Sequence, residues 1–392
     1  MIRIRIGSQA DYTQLREMYL EKIKKYVAFD EADLLDDSDI QEGKSENTAK
    51  ELERDYTELY HYLYDSGKVD RKKLQSLLAG PETMPGSFKQ NDGAEGTMRE
   101  FFENIPLQPF ASMRKNKNQE EDPSYKAREC CEKIINYKKF IDGQEEAYAL
   151  LRKLDVRVCP YCNRIYTVTL PSKEELADEE NFRTTRATFD HFYPKTRYPY
   201  LALNLFNLVP SCGICNSNKS DFLQEIVYPY DESFEKNVVF RLVPNLSDKA
   251  ENYIENALGF LHGEHDGFCI KFMGDNGISL IKDEKLEDRL TGIENEKYRS
   301  RIVNSIQQFK LEELYQEHKA EILDILKNRH YFNEQYVLYA LCPLIQEKMK
   351  GAGSMSRDEI RDIAMDMLFF SRLKEQDWEK RPLAKLVSDL LD

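Results

Sequence analysis

Two pairs of cysteines have the spacing of metal ligands. Two residues separate Cys159 from Cys162, and two residues separate Cys212 from Cys215. This spacing lets both sulfurs of a pair face one ion, and four thiolates complete the tetrahedral shell of a structural zinc site without an open position. A redox dithiol needs only one such pair, placed at the start of a helix. The spacing therefore predicts a structural Zn²⁺ held by all four cysteines.

Polar residues between and beside these pairs have the chemistry needed for hydrolysis. Asp190 and His191 lie between the pairs, and Asn207 and Asn216 flank the second pair. His191 is the only histidine in this segment, and its ordinary pKa near neutrality suits a general base. Asp190 and Asn216 offer oxygen ligands to a hard cation such as Mg²⁺ or Mn²⁺. Such an ion polarises a phosphoryl oxygen and stabilises the leaving oxygen of a phosphodiester.

Basic residues near this group are candidates for holding a substrate phosphate. Lys195, Arg197 and Lys219 lie within segment 181–220, which contains five basic residues and one acidic residue. The whole chain, in contrast, has a net charge of −14. We therefore predict that these three residues bind substrate, and an ordinary solvated surface position is the alternative for each.

The order of these motifs resembles that of the HNH endonucleases. The pattern CxxC…DHxxP…NL…CxxCNxxK extends over residues 155–223. The sequence from Phe189 to Asp221 is most similar to the HNH component of Septu-type bacterial anti-phage systems, which is encoded beside an SMC-like or ABC-like ATPase. The third motif position is Asn216 rather than histidine, which makes this an HNN variant that keeps an oxygen ligand for the metal.

The resemblance implies a fold, an activity and partners. It implies a small ββα-metal core in which two strands and a helix surround one catalytic divalent ion, with His191 as the base. Asn207 would tie the loop to the strand and help to orient that base. The implied function is a metal-dependent endonuclease that cuts DNA, acting in a bacterial anti-phage defence complex with an ATPase partner.

The rest of the chain must position this core. Helical periodicity in the first and last parts predicts an α+β protein that is mainly α-helical, with a short β-rich segment after the core. We predict a helical region over 1–150, the zinc-braced core over 151–226, a β-containing insertion over 227–290 and a helical region over 291–392. Large helical flanks and an acidic net charge favour work inside a complex.

Composition excludes several classes of protein. The 392 residues include 41% hydrophobic residues, which is enough for a core, and no apolar run approaches the roughly 20 residues of a spanning helix. The mean hydropathy is −0.66 and the sequence pI is about 5.2. We expect a cytoplasmic protein with no membrane partner, and we exclude an integral membrane protein and a secreted disulfide scaffold. A protein that coats nucleic acid by its own net charge is also excluded.

Two other functions remain open from the sequence. The first is an HNH-type ribonuclease acting on an RNA such as transfer RNA, since nothing in the motif reads a 2′-hydroxyl. The second is a non-catalytic, zinc-stabilised adaptor that binds an ATPase or a nucleic acid. Asp190, His191, Asn207 and Asn216 favour an enzyme over the adaptor, because a binding module does not need a complete set of base and metal ligands.

Overall fold

A computed structural model describes most of the chain. The described residues are 1–35, 44–88, 96–111, 123–142, 145–170, 186–221, 225–234, 236–244, 259, 262, 267–275, 285–290, 292–332, 334–348, 356–369 and 378–391. They form a mixed α+β structure in which helices predominate and the sheets are small and antiparallel, which confirms the predicted α+β class. Within these ranges, no helix has the length and apolar character needed to cross a membrane.

Helices make up most of the first part of the chain. They are α1 (Gln9–Ile23), α2 (Glu31–Leu34), α3 (Lys44–Asp55), α4 (Thr57–Leu63), α5 (Arg71–Ala79), α6 (Met98–Glu103), α7 (Pro123–Ile134), α8 (Tyr137–Asp142) and α9 (Glu145–Leu154). A small hairpin of β1 (Tyr64–Asp65) and β2 (Lys68–Val69) follows α4. Ser8 begins α1 with a capping box, in which it exchanges hydrogen bonds with Asp11.

The segment with the predicted site residues forms two strands and a helix. Strand β3 (Thr188–His191) pairs antiparallel with β4 (Leu208–Ser211), and α10 (Gly213–Lys219) follows directly. Short 3₁₀ turns at Pro199–Leu201 and Leu205–Asn207 shape the connection between the strands. The helix packs back against β3, so residues of all three elements lie close together.

A longer two-stranded ladder and further helices complete the fold. Strand β5 (Val238–Pro244) pairs antiparallel with β6 (Phe268–Gly274). The helices are α11 (Leu286–Arg289), α12 (Glu296–Gln308), α13 (Leu311–Gln316), α14 (Lys319–Tyr331), α15 (Glu334–Tyr336), α16 (Cys342–Lys348), α17 (Arg357–Phe369) and α18 (Ala384–Leu391), with a π-helical turn at Val337–Leu341 between α15 and α16.

One hydrophobic core crosses the boundaries of the four predicted regions. Its buried residues come from the amino-terminal helices, the strand pair, the β5–β6 ladder and the carboxyl-terminal helices. Tyr12 of α1 stacks on Phe206 with ring centroids 5.4 Å apart, and Tyr161 stacks on Phe309 at 4.5 Å. Burial of large aromatic rings contributes strongly to stability. The strand pair is therefore held by packing from both flanks.

Both ends of the described chain pack on the first cysteine segment. The Ile2 amide donates to the Pro160 carbonyl at 2.8 Å. The buried Asn163 side chain donates to the Trp378 carbonyl at 2.7 Å and accepts from the Lys385 amide at 3.2 Å. Asn163 has a φ of +51°, a left-handed conformation that asparagine tolerates better than most residues. The first cysteine segment therefore contacts both the amino-terminal and the carboxyl-terminal residues of the described chain.

Candidate functional site

The four predicted cysteines form one buried cluster. Their Sγ atoms all lie within 4.8 Å of one another, and Cys162 Sγ is 4.0 Å from Cys212 Sγ. A tetrahedral ion with Zn–S bonds of about 2.3 Å places its sulfurs about 3.8 Å apart. The four side chains therefore fit a zinc ion, and they leave no open position for a substrate. The predicted grouping of these residues is confirmed.

Local backbone structure creates each half of the cluster. In the first half, the Cys159 amide donates to the Ile165 carbonyl at 3.0 Å, and the Asn163 amide donates to the Cys159 carbonyl at 2.8 Å. In the second half, Cys212 is the N-cap of α10, and its sulfur accepts from the Cys215 amide at 3.4 Å. Amides directed at a sulfur favour its thiolate form, and thiolates are the species that bind metal.

Strand β3 places Asp190 and His191 side by side. Asp190 lies opposite Val209, and His191 lies opposite Leu208. Successive side chains of a strand point to opposite faces, so the two residues have different surroundings. Both side chains are buried.

Asp190 accepts hydrogen bonds on both of its oxygens. The Tyr161 hydroxyl donates to Oδ2 at 2.6 Å, and Lys219 Nζ donates to Oδ1 at 3.1 Å. Lys219 Nζ also donates to the His191 carbonyl at 2.5 Å. Burial raises the pKa of Asp190 above its ordinary value, while the Lys219 ammonium and the Tyr161 hydroxyl oppose that rise. These contacts link the first cysteine segment, β3 and the last residue of α10.

The location of Lys219 corrects the sequence analysis. Its side chain is only 1% exposed and forms an ion pair with the equally buried Asp190, so it is not available to hold a substrate phosphate and is not a solvated surface residue. A buried ammonium requires a counter-charge, and Asp190 supplies it. Lys219 therefore positions Asp190.

His191 is held in one orientation by its neighbours. Its Nε2 lies 3.0 Å from the Ala202 carbonyl oxygen, and its ring meets the Tyr137 ring edge to face with centroids 4.4 Å apart. A carbonyl only accepts, so Nε2 carries the proton and Nδ1 is the free acceptor. Burial lowers the pKa of His191 to about 3, which keeps the ring neutral near neutral pH. Nδ1 is therefore available to accept a proton, but this pKa lies below the near-neutral value on which the sequence prediction of a general base rests, so burial makes His191 a weaker base than the sequence predicts.

Asn207 ties together the loop that carries Ala202. Its Oδ1 accepts from the Tyr193 amide at 2.7 Å, and its Nδ2 donates to the carbonyls of Tyr193 and Leu201, each at 3.0 Å. Leu201 directly precedes Ala202, whose carbonyl accepts from His191. The side chain of Asn207 therefore fixes the loop whose Ala202 carbonyl contacts the imidazole.

The other predicted residues lie around this centre. Lys195 is exposed, with Nζ 4.9 Å from the centre of the Tyr137 ring. Arg197 is half-buried and donates from Nε to the Phe110 carbonyl at 3.1 Å, which commits part of its guanidinium to holding the chain. Asn216 is half-buried on α10, three residues before Lys219. Lys195 is thus the most accessible of the predicted phosphate contacts.

Asp190 and Asn216 are the candidate oxygen ligands for a divalent cation. Asp190 directly precedes His191, and each of its oxygens keeps one acceptor direction beside the hydrogen bond it already accepts. Asn216 adds an amide oxygen on the helix packed against β3. Mg²⁺ commonly takes one or two protein oxygens and fills its shell with water and phosphate. In this structure the Asp190 carboxylate is paired with the buried Lys219 ammonium, which competes with any cation for its oxygens.

Three contacts of the site escape the sequence analysis. Tyr161 donates to Asp190, the Tyr137 ring covers His191, and the Ala202 carbonyl accepts from His191. Tyr161 lies between two predicted metal ligands, which is a sequence signal for proximity to the site. Tyr137 is 54 residues before His191, and no local pattern connects the two.

Comparisons with known proteins find no match. No protein-family model, no curated protein and no solved structure matches the chain. The function of the site is therefore inferred from its own residues and their contacts.

We expect the purified protein to contain stoichiometric zinc. Replacing Cys212 with serine removes one thiolate from the cluster, and we expect Cys212→Ser to lose the metal and to unfold at a lower temperature, because structural zinc contributes directly to folding. Elemental analysis by mass spectrometry and a thermal melt measure both effects. Cys269→Ser is the control, since Cys269 lies outside the cluster. Full zinc content in Cys212→Ser would contradict this assignment.

The buried ion pair makes a second prediction. Lys219→Met leaves the Asp190 carboxylate buried without its cation, and we expect a loss of about 3–5 kcal/mol in the free energy of unfolding. The double variant Lys219→Met/Asp190→Asn removes both charges, so it should lose less than the two single variants together. Urea denaturation measures the free energy of unfolding of Lys219→Met, of Asp190→Asn and of the double variant. Lys50→Met, which breaks an exposed pair with Glu46, should change stability little. Additive losses would show that the pair is not coupled.

Proposed function

We propose that this protein is a metal-dependent endonuclease of the HNH type that hydrolyses phosphodiester bonds, with DNA as the preferred substrate. One observation carries the proposal. His191 is neutral and oriented through Nε2 by the Ala202 carbonyl, which leaves Nδ1 to accept a proton, and Asp190 is the next residue on the same strand. A fixed base beside a carboxylate that can bind a cation suits metal-assisted hydrolysis.

Each residue has a role in this reaction. His191 Nδ1 takes a proton from water, the water oxygen bonds to phosphorus, and the bond from phosphorus to the 3′-oxygen breaks. The 3′-oxygen leaves with the bonding electron pair and takes a proton from a second water to become a hydroxyl, and His191 returns its proton to solvent. Asn207 keeps the Ala202 carbonyl in place through its hydrogen bonds to Tyr193 and Leu201. Lys219 and Tyr161 hold the Asp190 carboxylate. When bound by Asp190 and Asn216, Mg²⁺ or Mn²⁺ supplies Lewis acidity at the phosphoryl oxygen and stabilises the leaving oxygen.

The order of the elements supports an HNH-type core. Asp190 and His191 end β3, Asn207 precedes β4, and Asn216 lies on α10, so two strands and a helix carry the motif. The first cysteine pair precedes β3, and the second pair lies at the start of α10. A structural zinc ion bound by all four cysteines would stabilise this small unit. Lys195 and Arg197 lie on the connection between the strands and are the proposed phosphate contacts.

A partner completes the proposal. We assign the protein to a cytoplasmic anti-phage defence complex in which an SMC-like or ABC-like ATPase senses the trigger and delivers the substrate. The net charge of −14 opposes tight binding of nucleic acid by the chain alone. Tyr331, Leu344 and Met367 are large apolar residues exposed on the carboxyl-terminal helices, and we propose them as points of contact with the ATPase.

Cleavage assays with matched variants test the proposed nuclease. Wild-type protein, His191→Ala and the exposed control His61→Ala are each incubated with DNA, both plasmid and single-stranded, and with total RNA in Mg²⁺ or Mn²⁺, with and without the ATPase. We expect His191→Ala to lose about 10²–10⁴-fold in rate, the usual contribution of a general base, and His61→Ala to cut like wild type.

The outcomes separate the three candidate functions. Loss of cleavage in His191→Ala with DNA as the degraded pool supports the DNA endonuclease. Degradation of RNA alone by wild-type protein identifies the ribonuclease. If wild type and His191→Ala cut equally, or if neither pool is cut, His191 is not the base and the zinc-stabilised adaptor becomes the preferred function.

A further inference from the structure

A cavity of about 640 Å³ lies beside the candidate base, and Tyr137 and Ala202 are among the residues that line it. Both residues also contact His191. The Tyr137 ring packs edge to face on the imidazole at 4.4 Å, and the Ala202 carbonyl accepts from Nε2 at 3.0 Å. Tyr137 and Ala202 therefore border both the cavity and His191.

The size and the apolar part of the wall suit a flat ring. Ile135, Ile141 and Pro199 line the cavity together with the Tyr137 ring. Its volume lies in the range of about 300–1,000 Å³ that is usual for small-molecule sites. Nucleobases stack on exposed aromatic side chains regardless of sequence, because every base has a π-face. Tyr137 is half-buried at the start of α8 and is one of the residues lining the cavity.

Two lysines in the wall are available for a phosphate. Lys195 Nζ lies 4.9 Å from the centre of the Tyr137 ring, and Lys138 is exposed on α8. Neither makes an ion pair with any residue in the described part of the chain. A base stacked on Tyr137 would take the place of the Lys195 ammonium over the ring, and the ammonium would then be free to contact the phosphate of that nucleotide.

Carboxylates in the same wall limit what can bind. Glu129, Glu132 and Asp142 line the cavity. Glu129 forms an ion pair with Lys133 at 3.1 Å. They would repel a long stretch of phosphate backbone. A carboxylate accepts hydrogen bonds from an exocyclic amino group such as N4 of cytosine. The wall therefore fits one amino-bearing base with its own phosphate better than a length of duplex.

We propose that this cavity binds one unpaired, amino-bearing nucleobase next to the scissile phosphate, with Tyr137 as the stacking platform and Lys195 on the phosphate. The inference rests on the proposed nuclease function and adds the substrate class, a single-stranded or locally unpaired nucleic acid. A base inside a duplex is already stacked and has to be extruded first, so intact duplex binds this cavity poorly.

Binding measured without added divalent ion separates this inference from cleavage. The probes are a fluorescein-labelled cytosine-rich DNA strand, the RNA of the same sequence, the DNA duplex and the DNA strand with abasic sites, followed by fluorescence anisotropy. The variants are Tyr137→Ala, Tyr137→Phe and Tyr166→Ala, the last at an exposed tyrosine outside the cavity wall. Thermal melts verify that each variant is folded.

We expect wild type to bind the single strand about tenfold more tightly than the duplex or the abasic strand. Tyr137→Ala should lose about tenfold on the intact strand and nothing on the abasic strand, in keeping with the loss of one stacked base. Tyr137→Phe and Tyr166→Ala should bind like wild type. The DNA and RNA arms show which sugar is accepted.

Several results would overturn the inference. Equal binding of the intact and abasic strands by wild type does so without relying on any variant, and so does wild-type affinity in Tyr137→Ala. If the protein cuts nucleic acid in a His191-dependent way but shows either result, only the base-binding cavity is wrong. If it binds the strand through Tyr137 and never cuts, the nuclease is wrong and the cavity stands. Failure to bind any of the probes contradicts the base-binding cavity, and the cleavage assay with the ATPase then decides on the nuclease separately.

Discussion

The convergence of four cysteine sulfurs within 4.8 Å is the constraint on which the site depends. It joins two segments about fifty residues apart, and those segments hold the site together from opposite sides. Tyr161, between the first two cysteines, donates to Asp190, and α10, which begins at Cys212, ends at Lys219 on the same carboxylate. Four buried thiolates without a cation would repel one another, so metal binding and the geometry of Asp190 are linked through folding.

The flanking helices extend this constraint to the whole chain. Several buried tyrosine hydroxyls donate to backbone carbonyls across the boundary between the flanks and the central segment. These bonds join Tyr19 to Leu203, Tyr200 to Leu107, Tyr228 to Phe206, Tyr230 to Leu208 and Tyr315 to Cys162. Each satisfies a buried carbonyl that would otherwise be costly to desolvate. The strand–strand–helix unit is small, and the shape of its loops is fixed by hydrogen bonds to residues outside it. The surrounding helices supply these residues.

Some of this arrangement is visible in the sequence because it depends on spacing along the chain. The CxxC pairs predict the sulfur cluster, and the β-containing segment predicted over 227–290 holds the strands β5 and β6. The burial of Lys219 could not be predicted, since a lysine in a basic segment is usually solvated and its partner Asp190 is 29 residues away. Tyr137 over His191 is likewise a tertiary contact between a helix and a strand. Spacing predicts which residues share a turn, whereas packing decides which of them reach solvent.

We propose that His191 activates water for attack on phosphorus. Single-turnover cleavage in water enriched in oxygen-18, followed by mass spectrometry of the products, tests most directly whether water is the nucleophile. We expect a 3′-hydroxyl on one product and one oxygen-18 atom in the 5′-phosphate of the other, since the water oxygen bonds to phosphorus as the 3′-oxygen leaves. Cleavage products without oxygen-18, or with 2′,3′-cyclic phosphate ends, would contradict this mechanism because water would not be the nucleophile.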